Sequence, residues 1–106
     1  MGFTARVRHT GTIALITLGG MFDTLSGPDF RREVDLAAQR KVDTVVLDMT
    51  DVNYLSSGGL RLIAYLRQKW PAGVKISLVG ANEAIQRTIR LVGFHYSLEF
   101  CDQLPG

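Results

Sequence analysis

Apolar and polar positions alternate at the start of the chain. In FTARVRH, residues 3–9, Phe3, Ala5 and Val7 fall on one side, and this period of two predicts a half-buried strand. The Thr10-Gly11 pair supplies a turn. Residues 12–18 are mostly β-branched or apolar, which predicts a second strand buried on both faces. Gly19 and Gly20 are expected to end it.

The period then lengthens. In MFDTLSGPDFRREVDLAAQRK, Phe30, Val34 and Ala37 or Ala38 recur at helical spacing, with Pro28 and Asp29 suited to a first turn. Val45, Val46 and Leu47 predict a short central strand, with Asp48 at or near its C-terminal end. A second helix is expected from about Ser57 to Trp70. Its inward face carries Leu60, Ile63, Leu66 and Trp70, and Pro71 and Gly73 stop it. VKISLVG reads as a strand. NEAIQRTIRLVGF reads as a helix with Asn82 as N-cap, Ile85, Ile89 and Val92 facing inward, and Gly93 just past the end. HYSLEFCD gives a last, edge-like strand.

The predicted order is β-β-α-β-α-β-α-β. It implies an α/β fold with a mixed, mostly parallel sheet, right-handed crossovers and an N-terminal hairpin. With 106 residues, 46% of them hydrophobic, the chain is expected to form one domain over residues 1–106. Twelve basic residues against ten acidic ones give a net charge of +2. Basic pairs such as Arg31-Arg32 have acids beside them, so there is no nucleic-acid footprint. A single cysteine, Cys101, excludes an internal disulfide and a cysteine-rich metal site. It reads as a small buried hydrophobe in a reducing compartment. The chain has no apolar run of about 20 residues, no signal-peptide core, and Arg6 where myristoylation needs a hydroxyl. A cytoplasmic location is expected.

In open α/β sheets, sites gather beyond the carboxyl ends of the strands. The segments 20–27, 48–58 and 80–83 occupy those positions and bring Asp23, Asp48, Asp51, Asn53, Ser56, Ser57 and Asn82 into play. Catalysis finds little support there. The turn Leu55-Ser56-Ser57-Gly58-Gly59 lacks the glycine that a nucleophile elbow needs two positions before its serine. The only histidines are His9 and His95, each read as a surface or strand residue. No phosphate-binding loop, dinucleotide fingerprint or metal-ligand spacing occurs. No enzyme, cofactor or metal is expected. Ser56 or Ser57 can cap the second helix, a contribution of roughly 0.5–2 kcal/mol. The same position also suits a phosphorylated serine, because the helix start favours negative charge. Gly58 and Gly59 would leave room around the hydroxyl. Asp23, Asp48 and Asp51 are equally open to reading as turn-forming acids.

VVLDMTDVNYLSSGGLRLIAYLR, residues 45–67, places an apolar strand ending in Asp before a loop with an acid and an aromatic, then Ser and Gly-Leu. GGMFDTLSGPDFRREV precedes it and ISLVGANEAIQRTIRLVGFHYSLEF follows. In this order and spacing the three resemble the STAS domain, and within it the bacterial anti-sigma factor antagonists. The resemblance runs over roughly residues 3 to 102. It implies a binding module whose unmodified form sequesters an anti-sigma factor that is also an ATP-dependent serine kinase, so that a sigma factor is released. That kinase phosphorylates one serine at the start of the second helix, which ends the binding, and a serine phosphatase restores it. Matching Gly59-Leu60 to the family's Gly-Leu implies Ser57 as acceptor. Ser56 is the alternative, standing where many members have Asp. Asp23 and Asp48 match acids near that serine, so the implied partner interface is Asp23, Asp48, Ser56, Ser57, Gly58 and Gly59. Family members commonly end in a further helix, for which CDQLPG leaves little. A constitutive STAS subunit of a signalling or lipid-transport assembly, without a serine switch, is the alternative function.

Overall fold

The computed structural model describes residues 2–104. Its elements are β1 (Thr4–Thr10), β2 (Ile13–Phe22), a 3-10 turn (Thr24–Ser26), α1 (Gly27–Ala37), β3 (Thr44–Leu55), α2 (Ser57–Lys69), β4 (Lys75–Val79), α3 (Glu83–Leu91), a second 3-10 turn (Phe94–Tyr96) and β5 (Glu99–Cys101). This is the order expected from the hydrophobic pattern. The five strands lie side by side as β1-β2-β3-β4-β5; β1 and β2 are antiparallel and every later pair is parallel.

Strands that advance in one direction through right-handed crossovers put every crossover helix on the same face of the sheet. The core lies on that face. Ile16, Leu18, Leu47, Met49, Ile76 and Leu78 from the strands meet Phe30 and Val34 of α1, Ile63 and Leu66 of α2, and Ile85 and Ile89 of α3. Burying each such side chain contributes roughly 1.5–3 kcal/mol before the entropy of ordering is set against it. The opposite face carries Arg6, Arg8, Leu15, Thr17, Val46 and Asp48 at paired positions. The one-sided layering corrects one expectation. β2 is not buried on both faces: Ala14, Ile16 and Leu18 are buried, whereas Ile13 and Leu15 are only partly so and Thr17 is exposed.

Gly19 and Gly20 do not end β2, which continues to Phe22. They sit where the β2–β3 register slips, between Thr17 and Gly19 and between Gly20 and Met21. Gly20 has φ +86°, and a side chain there would run into the backbone of Gly2. Such irregularities bend a strand and re-aim its end, and glycine is the residue that tolerates them. β3 is likewise longer than expected, twelve residues, and Asp48 lies within it rather than at its end. Most of segment 48–58 is therefore strand, not loop. Apolar runs show where a strand is buried, and β3 goes on beyond the buried run through Thr50, Asp51, Asn53 and Tyr54, which are exposed.

Smaller differences have similar causes. In α2 the buried apolar residues are Leu62, Ile63 and Leu66, with Leu60 only partly buried. Val92 is the C-cap of α3 and is 51% exposed, not inward. The expected last strand shortens to Glu99–Cys101 because Gly93 opens a 3-10 turn. Cys101 is partly buried rather than buried.

Two side chains that no motif marks tie the layers together. Glu33 of α1 accepts the outward amide of Val7 at 2.9 Å, so a helix covers part of the exposed edge of β1. Arg67 donates to the carbonyls of Trp70, Pro71, Val74 and Ser97. Two of these bonds take up carbonyls just past the end of α2, and the other two tie that end to the chain entering β4 and β5. Among the described residues no helix is long and apolar enough to cross a membrane.

Candidate functional site

Past the irregularities, β2 and β3 run on together, with Met21 opposite Tyr54 and Phe22 opposite Leu55. The chain then turns directly into α2. The Ser56 amide donates to the Phe22 carbonyl at 3.1 Å, and the Ser56 carbonyl accepts the Leu60 amide at 3.0 Å. Ser56 has extended backbone, and its Oγ accepts the Gly59 amide at 3.2 Å. It is therefore the N-cap, which satisfies one amide that the first helical turn leaves open. Ser57 is the first helical residue and is exposed. Among the described residues, its hydroxyl has no hydrogen-bond partner.

Gly58 and Gly59 are buried, so they do not leave open room around the hydroxyl as expected. A side chain at Gly58 would collide with Thr24, and one at Gly59 with the Phe22 carbonyl and a Leu55 methyl. The glycines let the start of α2 rest on the backbone that links β2 to α1. That contact fixes where Asp23 lies. Asp23 Oδ1 accepts the Leu25 amide at 3.0 Å; Ser26 Oγ accepts the Asp23 amide at 3.0 Å and donates to the Met21 carbonyl, also at 3.0 Å. This reciprocal cap makes the short turn rigid. It also holds Leu25 outward, 88% exposed. Met21 and Tyr54, at 42% and 49%, are exposed on the same end of the sheet.

The structure thus brings together Asp23, Ser56, Ser57, Gly58 and Gly59. Asp48 stands apart along the strand. β3 runs on from Asp48 to Leu55, a span of roughly 20 Å at about 3.3 Å per residue. The Asp48 carboxylate accepts the amide and hydroxyl of Thr50 at 3.0 and 2.7 Å. Asp51 and Asn53 are exposed on β3, and Asn82 caps α3 by accepting the Ile85 amide at 2.9 Å. The histidines lie elsewhere: a His9 ring nitrogen is 3.0 Å from the Ala37 carbonyl, and His95 is in the second 3-10 turn. Neither stands as a base for a serine. Among the described residues no group of His, Cys, Asp or Glu could hold a metal ion. Sequence reasoning missed Met21, Thr24 and Leu25. The only available signal was the apolar character of MFDTL, which looks the same in a buried strand end.

A separate polar cluster joins α1 to α2. Asp35 Oδ1 accepts from Lys69 Nζ and from Tyr65 Oη, both at 2.7 Å. The Lys69 hydrogen bond, then the Tyr65 one, holds the Asp35 carboxyl below its ordinary pKa, and the Asp35 bond raises that of Lys69.

The family model of the STAS domain matches residues 4–105. The chain belongs to the STAS domain family. Its relatives include the anti-sigma-F factor antagonist RsfB of Mycobacterium tuberculosis, 26% identical over 85 residues that span 80% of this chain and 69% of that protein. Among solved structures, an anti-sigma factor antagonist from Mycobacterium paratuberculosis superimposes with a TM-score of 0.85 at 20% identity, covering 97% of this chain and 88% of the other. The anti-sigma factor antagonist SpoIIAA in its unphosphorylated form gives 0.74 at 16% identity, covering 95% and 90%. The phosphorylated form of the Bacillus protein SpoIIAA gives 0.72 at 16% identity, covering 94% and 93%. These structural likenesses show that the STAS domain has the fold of known anti-sigma factor antagonists: a five-stranded mixed sheet with three helices.

Proposed function

We propose that this STAS domain is an anti-sigma factor antagonist: a binding module without catalysis of its own, which sequesters a kinase-type anti-sigma factor and so releases a sigma factor. Phosphorylation of Ser57 by that kinase ends the binding, and a serine phosphatase restores it. The observation that carries this reading is the division between two adjacent serines. The Ser56 hydroxyl is committed to the Gly59 amide, while the Ser57 hydroxyl is exposed on the first helical residue. Met21, Leu25 and Tyr54 supply apolar contact surface at the same end of the fold, and Asp23 stands in the rigid turn against which α2 begins. Phosphate would bring a charge of roughly −1.5 to −2 to that surface. A partner seated on it would have to strip water from that charge, which is costly. Asp48 takes part only for a partner whose footprint reaches back along β3.

Incubation with the cognate anti-sigma kinase and ATP tests this. One phosphate on Ser57, absent from Ser57→Ala, with loss of partner binding on phosphorylation, is the expected result. A phosphate confined to other residues, or a phosphorylated protein that still binds fully, overturns it.

A further inference from the structure

Arg61 lies one helical turn beyond Ser57, on the exposed side of α2. Among the described residues, it takes part in no salt bridge. The acids that neutralise basic side chains on α1 and α2 lie elsewhere: Asp29 and Glu33 meet Arg32, and Asp35 meets Lys69. Residues four apart on a helix are surface neighbours, with Cβ atoms about 5–6 Å apart. Cα–Cβ bonds tilt toward the helix N-terminus, so a long side chain at 61 leans over the turn that opens with Ser57. An acidic group at i and a base at i+4 is also the favourable order of such a pair. Guanidinium matches phosphate oxygens two at a time, which a lysine ammonium cannot do.

We infer that Arg61 is the intramolecular partner of a phosphate on Ser57. The inference rests on the reading of Ser57 as the acceptor and adds a regulatory part to that site. The unmodified hydroxyl offers Arg61 no charge, so the side chain stays free. After modification the guanidinium binds the phosphate against α2, so the phosphorylated state is held by this chain itself, without a partner. The charged groups on neighbouring elements are otherwise disposed. Asp23 is held in its cap, Asp51 lies on β3, and the Arg31 guanidinium is 5.8 Å from the centre of the Tyr65 ring.

The test uses the full chain with phosphoserine installed at position 57 during synthesis, so that no kinase is needed. Phosphorus NMR titration gives the second ionisation of the phosphate, and proton–nitrogen spectra report the Arg61 Nε–H. In the phosphorylated wild type that ionisation should fall by roughly 0.3 pH unit or more relative to phosphorylated Arg61→Gln. The Arg61 signal should shift on phosphorylation, and Arg61→Lys should restore part of the ionisation shift. Identical titrations for wild type and Arg61→Gln, with an unmoved Arg61 signal, overturn the inference. Because the phosphate is installed chemically, that failure is distinct from a failure of the kinase to modify Ser57.

Discussion

The Ser56 hydroxyl oxygen lies 3.2 Å from the Gly59 amide nitrogen, across the first turn of α2. Its immediate neighbour Ser57 has no share in that bond, so the two serines should respond differently to the same substitution. Ser56→Ala removes the cap and should lower stability by about 1 kcal/mol. Ser57→Ala should leave stability within about 0.5 kcal/mol of wild type, as for other surface changes. Urea unfolding of both variants checks this. Equal losses would mean that the cap is shared.

Gly59 faces the Phe22 carbonyl, and Gly58 faces Thr24. Alanine is a better helix former than glycine by about 1 kcal/mol, so propensity alone predicts that Gly→Ala stabilises α2. Contact with backbone should reverse the sign. Gly59→Ala is expected to cost about 1–3 kcal/mol, as overpacking does. A calorimetric melting temperature above that of wild type would show that the close approach is not restrictive.

Leu25 projects from a turn fixed by Asp23 and Ser26. If it anchors the partner, Leu25→Ala should weaken binding to the cognate anti-sigma factor roughly tenfold or more, the scale of an interface hot spot. Its fold should be unaffected, since the side chain is exposed. Calorimetric titration measures the affinity, and an unchanged value removes Leu25 from the interface.

The Asp35 carboxyl is held below its ordinary pKa, chiefly by Lys69 and then by Tyr65. A group with a lowered folded-state pKa adds stability that is present above its unfolded value and lost as pH falls through the folded one. The protein should therefore lose some stability in that acidic range, and Asp35→Asn should remove this part of the pH dependence. The pair is exposed, so the effect should be small and fade with added salt. Denaturant unfolding across the acidic range at two salt concentrations gives the comparison. Parallel curves for wild type and Asp35→Asn would show that the cluster is not coupled to folding.

Glu33 accepts the Val7 amide and is largely buried beside it. Glu33→Ala leaves an edge amide without its partner and should cost about 1–3 kcal/mol. It should also raise self-association, because an uncovered strand edge can pair with another chain. Light scattering and unfolding together test both effects; a fully monomeric, undiminished variant contradicts them.

Element order could be read from the chain because three devices repeat along it: the change of apolar period, the caps at Asn82 and near Ser56, and the breakers Pro71 and Gly73. The resemblance then separated Ser57 from Ser56, which capping preference alone could not do. Other features depend on distant backbone and leave no local trace. Gly58 looks like a weak helix former until Thr24 is found against it. Gly20 looks like a strand terminator until the backbone of Gly2 is found beside it. Asp48 looked like the end of a strand because the apolar run stops there, while pairing between β2 and β3 continues to Phe22 and Leu55.

The spatial order of the strands is also their order along the chain. No strand has to insert between two that have already paired, so each can dock on an edge left by the one before it. The hairpin of β1 and β2 is local, and each later strand closes a loop only about as long as one crossover helix. Such short closures favour rapid folding. During synthesis from the N-terminus, the sheet can grow by accretion as each strand emerges.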